Sequence, residues 1–395
     1  MPAMPRPLDK NVYRLGLLSL FNDITADMIT PLLPAFLATM GMGATFLGAM
    51  EGVANCLSHT TMLFAGIYVD RHGKNKKATV LGYYLCAFVR LLIAIPIPAV
   101  TFLVRVTDRI GKGIRTAPRD SLMTHLVPKK DWGRAFGVQR AMDHTGTMIG
   151  ATLAALLIAQ FSLNLSILFI LASLPSILSV LIVPRKIPEV PHKKSAEAPK
   201  ISWRDLPPSL RPYIFVIFFS AIATPSELFL ILKMKDMGLK EYLMPLAWFL
   251  MTLFSVLAAY VGGYFSDRTS RRLTMAVGWF IASLAYLGFA WFPRLGWAWA
   301  FLALYGLSAG WVEAAQRSYP VHMASDKVRA TVLGWYYLAY GMGLLIASLL
   351  FGVLWKYWSV PHTFTLYAGL MFLCVFLVSF LPSSRAPAHA ARSEG

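Results

Sequence analysis

The chain has 395 residues, 57% of them hydrophobic and only 14% charged, with a mean hydropathy of +0.57; this excludes an ordinary soluble domain of its size and requires lipid as part of the solvent. A formal net charge of +18 would suit a nucleic-acid binder, but the Lys and Arg residues gather in alternate loops between apolar runs, which is the positive-inside pattern. No nucleic-acid partner is expected. Cys56, Cys86 and Cys374 stand far apart inside apolar runs and the His residues form no ligand-spaced pair, so neither a metal site nor a redox motif is expected.

Apolar runs of roughly 20 residues recur from end to end, each long enough to cross a hydrocarbon core of about 30 Å. They fall near residues 14–38, 44–69, 78–98, 101–124, 134–160, 164–183, 211–233, 243–266, 273–292, 296–318, 329–356 and 361–381. Only helices and closed barrels satisfy the backbone in lipid, and these runs are continuous, without strict alternation. The expected fold is therefore all-α and integral to the membrane, with about twelve transmembrane helices. Residues 1–11 hold Arg6 and Lys10 but no compact apolar core followed by a small-residue cleavage site, so no signal peptide is expected.

Ionisable groups at bilayer depth cost about 2.5–3.5 kcal/mol each on insertion scales, so their positions carry information. In the first span Asp23 and Asp27 are four residues apart and share a helix face, with Asn22 beside them and Pro31 and Pro34 loosening the helix beyond. Two carboxylates in a partly dry cavity cannot both ionise cheaply, so the pair is placed either to share a proton or to be permanently paired, each with a base, for helix packing. Glu51 and Arg90, on the second and third spans, are expected to serve packing. The loop after the second span reads Gly66, Asp70, Arg71, Gly73 and Lys77, a G-x-x-x-D-R-x-G-x-x-x-K pattern.

The fourth span carries Arg105, Asp108 or Arg109, Lys112, Arg115 and Arg119 at helical spacing, a charged stripe opposite Ile110, Ile114 and Ala117. Such a stripe must face water, acids or a solute. Asp143 and His144 follow on the fifth span, with Gly146 and Gly150 permitting close helix approach. By residue count Asp23, Arg115, Arg119 and Asp143 lie at similar depth, so a carboxylate and guanidinium cluster is expected there; His144 is placed to relay a proton or to pack.

A hydrophilic, Pro-containing stretch at 184–210 reads as a cytoplasmic linker between two six-helix bundles, 1–183 and 211–395. The halves repeat: Gly137 and Gly146 have the same interval as Gly334 and Gly343, and the loop pattern returns in degraded form as Gly263, Asp267, Arg268, Ser270, Arg271 and Arg272. In the second half Glu227 lies on the seventh span, and Glu313 and Arg317 lie four residues apart on the tenth, placed either to neutralise each other or to meet a solute. Trp335 suits an interfacial belt, and Tyr340 is open to a cavity role. Basic residues in alternate loops put both termini in the cytoplasm; Lys235 and Lys240 are the exception to the pattern.

The doubled loop motif resembles that of the major facilitator superfamily between spans two and three, and the resemblance covers essentially the whole chain. It implies a secondary transporter of two pseudo-symmetric bundles working by alternating access, with the first, fourth, seventh and tenth spans lining a central cavity. It also implies that Asp70 accepts hydrogen bonds from a neighbouring helix N-terminus, and that Arg71, Lys77 and Arg268 hold a cytoplasmic gate with Gly66, Gly73 and Asp267. The run Arg109-Ile110-Gly111-Lys112-Gly113 is similar to the family's fourth-span pattern, in which an Arg is tied to proton coupling; Arg109 is the candidate, with Arg105 as the other possible equivalent.

The leading expectation is proton-coupled efflux of a small solute from a monomeric carrier in the bacterial cytoplasmic (inner) membrane, with protons and lipid as its other partners and no cofactor. The first-span acids suit that direction. The Arg-rich fourth span suits instead proton-coupled uptake or exchange of an organic anion, since Arg binds carboxylate and phosphate bidentately. A membrane-embedded enzyme acting on lipid phosphates, or a transporter-like sensor, is the alternative of another class.

Overall fold

A computed structural model describes residues 8–128, 131–188, 203–323 and 329–382. The first span is a broken one: α1 (Lys10–Ile29), a 3-10 turn at Thr30–Leu32, then α2 (Leu33–Thr39). Pro31 and Pro34 each remove a backbone donor where the helix changes pitch. Next come α3 (Ala44–His72), α4 (Asn75–Val89, prolonged by a 3-10 turn to Ala94), α5 (Pro98–Leu126), α6 (Trp132–Phe161) and α7 (Leu165–Ile182). The second half runs α8 (Arg211–Ile222), α9 (Leu228–Asp236), α10 (Met244–Arg268), α11 (Arg271–Trp291), α12 (Leu295–Met323), α13 (Arg329–Tyr357) and α14 (Val360–Leu377). The expected all-α membrane fold is thus present, and each apolar run is occupied by helix.

Among the described residues 8 helices are long and apolar enough to cross a membrane on length and composition. The other four expected spans depart from that standard for physical reasons. Breaks at Thr30–Leu32 and at residues 223–227 divide the first and seventh, polar Glu51, Asn55, Ser58 and His59 dilute α3, and the charged stripe runs along α5.

Helix ends follow local chemistry. Asp9 accepts from the Asn11 amide at 2.7 Å to cap α1, and Asn164 accepts from the Ser166 amide at 2.8 Å to cap α7. The two copies of the loop motif end their helices differently. Gly73 takes φ +67° and donates to the Val69 carbonyl at 2.7 Å, closing α3 in the left-handed conformation that favours glycine. Its counterpart Ser270 has φ −121° and enters α11 as extended backbone, a conformation open to any residue, so the lost glycine is not needed there.

Contacts divide the chain into two compact units, one of residues 1–42, 53–198 and 240–249, the other of 43–52, 199–239 and 250–395. In the first, α1 lies on α6 so closely that a Cβ on Gly146 would sit 2.5 Å from the Leu20 carbonyl oxygen, and one on Gly150 2.4 Å from that of Ile24. Gly113 brings α5 equally near α3, 2.5 Å from the Ser58 oxygen, and Gly82 brings α4 onto α5, 2.6 Å from the Gly111 oxygen. The second unit repeats the device. A Cβ on Gly343 would meet α8 at the Phe218 oxygen, 2.7 Å away, and one on Gly310 would meet α10 at the Ser255 oxygen. Without a hydrophobic driving force between helices in lipid, such small-residue contacts supply the van der Waals packing that holds them together.

Gly150→Val should therefore force α1 and α6 apart and destabilise the detergent-solubilised protein by about 1–3 kcal/mol in thermal unfolding, whereas Gly137→Ala, where the added carbon meets open space, should be neutral or slightly stabilising. Equal melting curves for the two variants would show that this contact does not hold the unit.

Candidate functional site

The charged residues of the first unit assemble on α1, α4, α5 and α6. Helices α1 and α5 run antiparallel, and their facing side chains form a ladder. Arg119 donates to the Ser19 hydroxyl at 2.8 Å, Arg115 lies 3.9 Å from the Asp23 carboxylate, and Arg105 donates to the Thr30 hydroxyl at 3.2 Å. The stripe read from sequence thus lies against α1. Arg115 is buried and its guanidinium sits 4.4 Å from the Tyr83 ring centroid, a cation–π contact that compensates part of its desolvation. Tyr83 in turn shares a hydrogen bond with Ser19.

Arg119 reaches two carboxylates, Asp120 at 3.0 Å and Asp143 of α6 at 3.8 Å. Asp143 also accepts from Gln139 at 2.8 Å. Asp23, Arg115, Arg119 and Asp143 therefore lie within one connected cluster. His144 follows Asp143 on α6 and is half-buried.

A second network lies beside it. Arg90, at the end of α4, forms an ion pair with Asp108 at 2.7 Å and donates to the carbonyl and the side-chain oxygens of Asn22, each at 3.0 Å. Both charged partners are buried. Asn22 passes the connection on to Asp23 at 3.0 Å. Arg90 and Glu51 thus find separate partners: Glu51, in the second unit, accepts from the Ser226 hydroxyl at 3.3 Å.

Asp27 is different. Its two oxygens accept from the Thr147 hydroxyl at 2.6 Å and from the Trp248 indole N–H at 3.0 Å. Asp23 and Asp27 thus have separate ion-pair and hydrogen-bond partners, because α5 meets one and α6 and α10 meet the other. Neither Thr147 nor Trp248 stood out in the sequence. Thr147 is one turn beyond Asp143 on the face that bears Gly146 and Gly150, a discernible signal; nothing in the chain order relates Trp248 to α1.

Lys112 lies at the middle of α5, one turn from Arg109 and one from Arg115, and is exposed. On the ladder it falls between the Arg115–Asp23 and Arg105–Thr30 rungs, level with Asp27. It makes none of the ion pairs found among the described residues. Arg109 is half-buried beside it.

In the second unit Glu227 is half-buried at the start of α9, just after the break that follows α8. Glu313 is half-buried on α12. Aromatic rings fill the neighbourhood of α8 and α13: Tyr213 stacks on Tyr319 at 4.8 Å, and Tyr336 stacks on Tyr340 at 5.8 Å. Trp335 meets Trp203 edge-on at 5.0 Å.

Of the gate residues, Arg71, Lys77 and Arg268 are exposed, and Arg268 covers the Tyr264 ring at 4.0 Å. Gly66 faces α5, where an added Cβ would lie 3.7 Å from that of Ala117. The side chains of Asp70, Asp267 and Arg317 lie outside the described residues.

The sequence profile of the Major Facilitator Superfamily matches residues 15–342. An uncharacterized MFS-type transporter of Methanocaldococcus jannaschii is 31% identical over 89% of this chain and 90% of its own length. Multidrug resistance protein 2 of Bacillus subtilis is 24% identical over 48% of each chain. A POT family transporter in complex with 5-aminolevulinic acid shares the fold with a TM-score of 0.78 at 13% identity, over 94% of this chain and 95% of its own. A bacterial homolog of the human lysosomal transporter Spinster gives 0.71 at 14%, covering 94% of each. A match of this length, over residues that include the first loop motif and the α5 stripe, shows that the chain belongs to the Major Facilitator Superfamily and is an integral membrane secondary transporter, not an enzyme.

Proposed function

We propose that this transporter is proton-coupled, with Asp27 as the acid that takes up and releases the proton. It moves its solute across the bacterial cytoplasmic membrane by alternating access of the halves 1–183 and 211–395, joined by the 184–210 linker, with both termini in the cytoplasm. The supporting observation is the company Asp27 keeps. Its partners are the uncharged donors Thr147 and Trp248, whereas Asp23, Asp108, Asp120 and Asp143 each face a guanidinium. Protonating Asp120 or Asp143 would remove one of the two carboxylates that Arg119 faces, and protonating Asp23 or Asp108 would leave a buried guanidinium without its paired carboxylate. Protonating Asp27 does neither.

For the direction, the site supports uptake or exchange of an organic anion. The exposed ammonium of Lys112 offers positive charge at the depth where a carrier must hold its solute. The acids on α1 that suit a cationic cargo are engaged, Asp23 by Arg115 and Asp27 by its two donors. Efflux is the second reading, favoured by the likeness of part of the chain to a multidrug resistance protein.

Asp27→Asn should abolish solute accumulation driven by an imposed pH gradient in proteoliposomes while sparing counterflow of the same solute without a gradient. Accumulation at the wild-type rate in that variant would remove Asp27 from the coupling step. Arg90→Ala should behave otherwise: by leaving Asp108 buried and unpaired it should cost about 3–5 kcal/mol of stability in thermal unfolding, and the Arg90→Ala, Asp108→Ala double variant should recover part of that loss. Wild-type stability in Arg90→Ala would mean that the pair is not a structural element.

A further inference from the structure

The ladder between α1 and α5 has one rung that is not closed. Above and below it, Arg115 faces Asp23 at 3.9 Å and Arg105 donates to Thr30 at 3.2 Å. At the intermediate level the two side chains are Lys112 and Asp27. Asp27 is turned to Thr147 and Trp248, and Lys112 is exposed. The unit therefore holds an exposed cation and a carboxyl with neutral partners side by side, near enough to feel each other's charge and without a salt bridge between them.

The sign of the coupling between two ligands at such a rung follows from electrostatics. A cationic solute would seek Asp27 and compete with the proton, which gives exchange. An anionic solute would seek Lys112. By neutralising the ammonium it would remove the positive charge that favours the ionised form of Asp27, so anion and proton would each strengthen the binding of the other. The other cations of the face do not offer the same place. Arg90, Arg115 and Arg119 already face carboxylates, and Arg105 is buried against Thr30.

We infer that the solute is an anion whose carboxylate or phosphate pairs with Lys112, and that its binding and the protonation of Asp27 reinforce one another, so that anion and proton cross the membrane together. This rests on the reading of Asp27 as the proton site. The groups that act on Asp27 by charge or hydrogen bond are Asp23 on its own helix, Lys112 on α5, Thr147 on α6 and Trp248 on α10; of the elements packed on α1, α5 also carries Arg109 and Arg115, α6 also carries Asp143 and His144, α4 ends in Arg90, and α7 carries no charged residue. Of these, Lys112 is the cation level with Asp27, which makes it the specificity-determining residue for the sign of the solute's charge.

The test follows the Asp27 carboxyl through its C=O stretch in infrared difference spectra of the reconstituted full chain, identified by its loss in Asp27→Asn. The titration is run alone, with acetate, succinate, citrate or glycerol 3-phosphate, and with tetraphenylphosphonium as a cationic probe. In wild type at least one anion should move the midpoint upward by about one pH unit, a tenfold gain in proton affinity. Lys112→Gln should start from the raised midpoint and lose the anion response, and Lys112→Arg should keep both the wild-type midpoint and the response. An unchanged midpoint in Lys112→Gln, silence toward every anion, or a downward shift by the cationic probe alone would each overturn the inference. A band that never titrates would instead dispose of Asp27 as the proton site, so the two failures are distinguishable.

Discussion

A guanidinium at bilayer depth must be given a counter-charge or a ring to rest on, and α5 carries four of them in one helix, at Arg105, Arg109, Arg115 and Arg119. Arg115 takes Asp23 and the Tyr83 face, Arg119 takes Asp120, Asp143 and Ser19, and Arg105 takes Thr30. Apart from Asp120, which is on α5 itself, those partners come from α1 and the turn that follows it, from α4 and from α6, so satisfying α5 fixes where three other helices stand. The Arg90–Asp108 pair acts from the back of the same helix and reaches α1 through Asn22. Helix α1 is thus held on both sides of Asp23 by bonds whose loss would strand a charge. The glycines at positions 146 and 150 let it approach α6 closely enough for Thr147 to reach Asp27.

The same backbone device serves both units, but the chemistry placed on it differs. Gly113 and Gly310, like Gly146 and Gly343, occupy equivalent places in the two repeats and make equivalent helix contacts. One repeat after Asp27, Arg109, Arg115 and Asp143 stand Thr224, Gly306, Val312 and Tyr340. Duplication preserved the small residues because any side chain at those contacts would separate the helices. The charges at Asp27, Arg109, Arg115 and Asp143 do not recur in the second repeat. The second unit has Tyr340 in the place of Asp143, and that ring stacks on Tyr336 beside the stacked pair Tyr213 and Tyr319.

Span positions and the charged face of α5 could be read from the chain because each depends on spacing within a single helix. The break in the first span was similarly foreshadowed by Pro31 and Pro34. Beyond the cluster of Asp23, Arg115, Arg119 and Asp143 that residue depth brought together, what escaped reading was which residues of different helices bond to one another. Asp23 and Asp27 share a face at a spacing of one turn, which suggested a shared proton, yet the neighbours of that face change from α5 to α6 within that turn. Arg90 was expected to pair structurally, but its partner Asp108 was not identifiable, since Arg105, Asp108 and Arg109 compete for the same stripe in sequence. Trp248 had no local signature at all, because its role depends on where the start of α10 packs.

An unclosed rung has a cost that argues for its use. Lys112 could have been neutralised as its neighbours are, by turning Asp27 toward it, and an exposed ammonium halfway along a membrane helix carries an insertion penalty of about 2.5–3.5 kcal/mol. Instead Asp27 is held away by two neutral donors. A closed pair would be inert, since neither member could accept a proton or a solute without breaking it. Held apart, each keeps an affinity of its own while feeling the charge of the other, and two sites that interact without being joined are what thermodynamic coupling between two ligands requires. The packing of α6 and the start of α10 against α1 is therefore what holds the two groups of the proposed coupling apart.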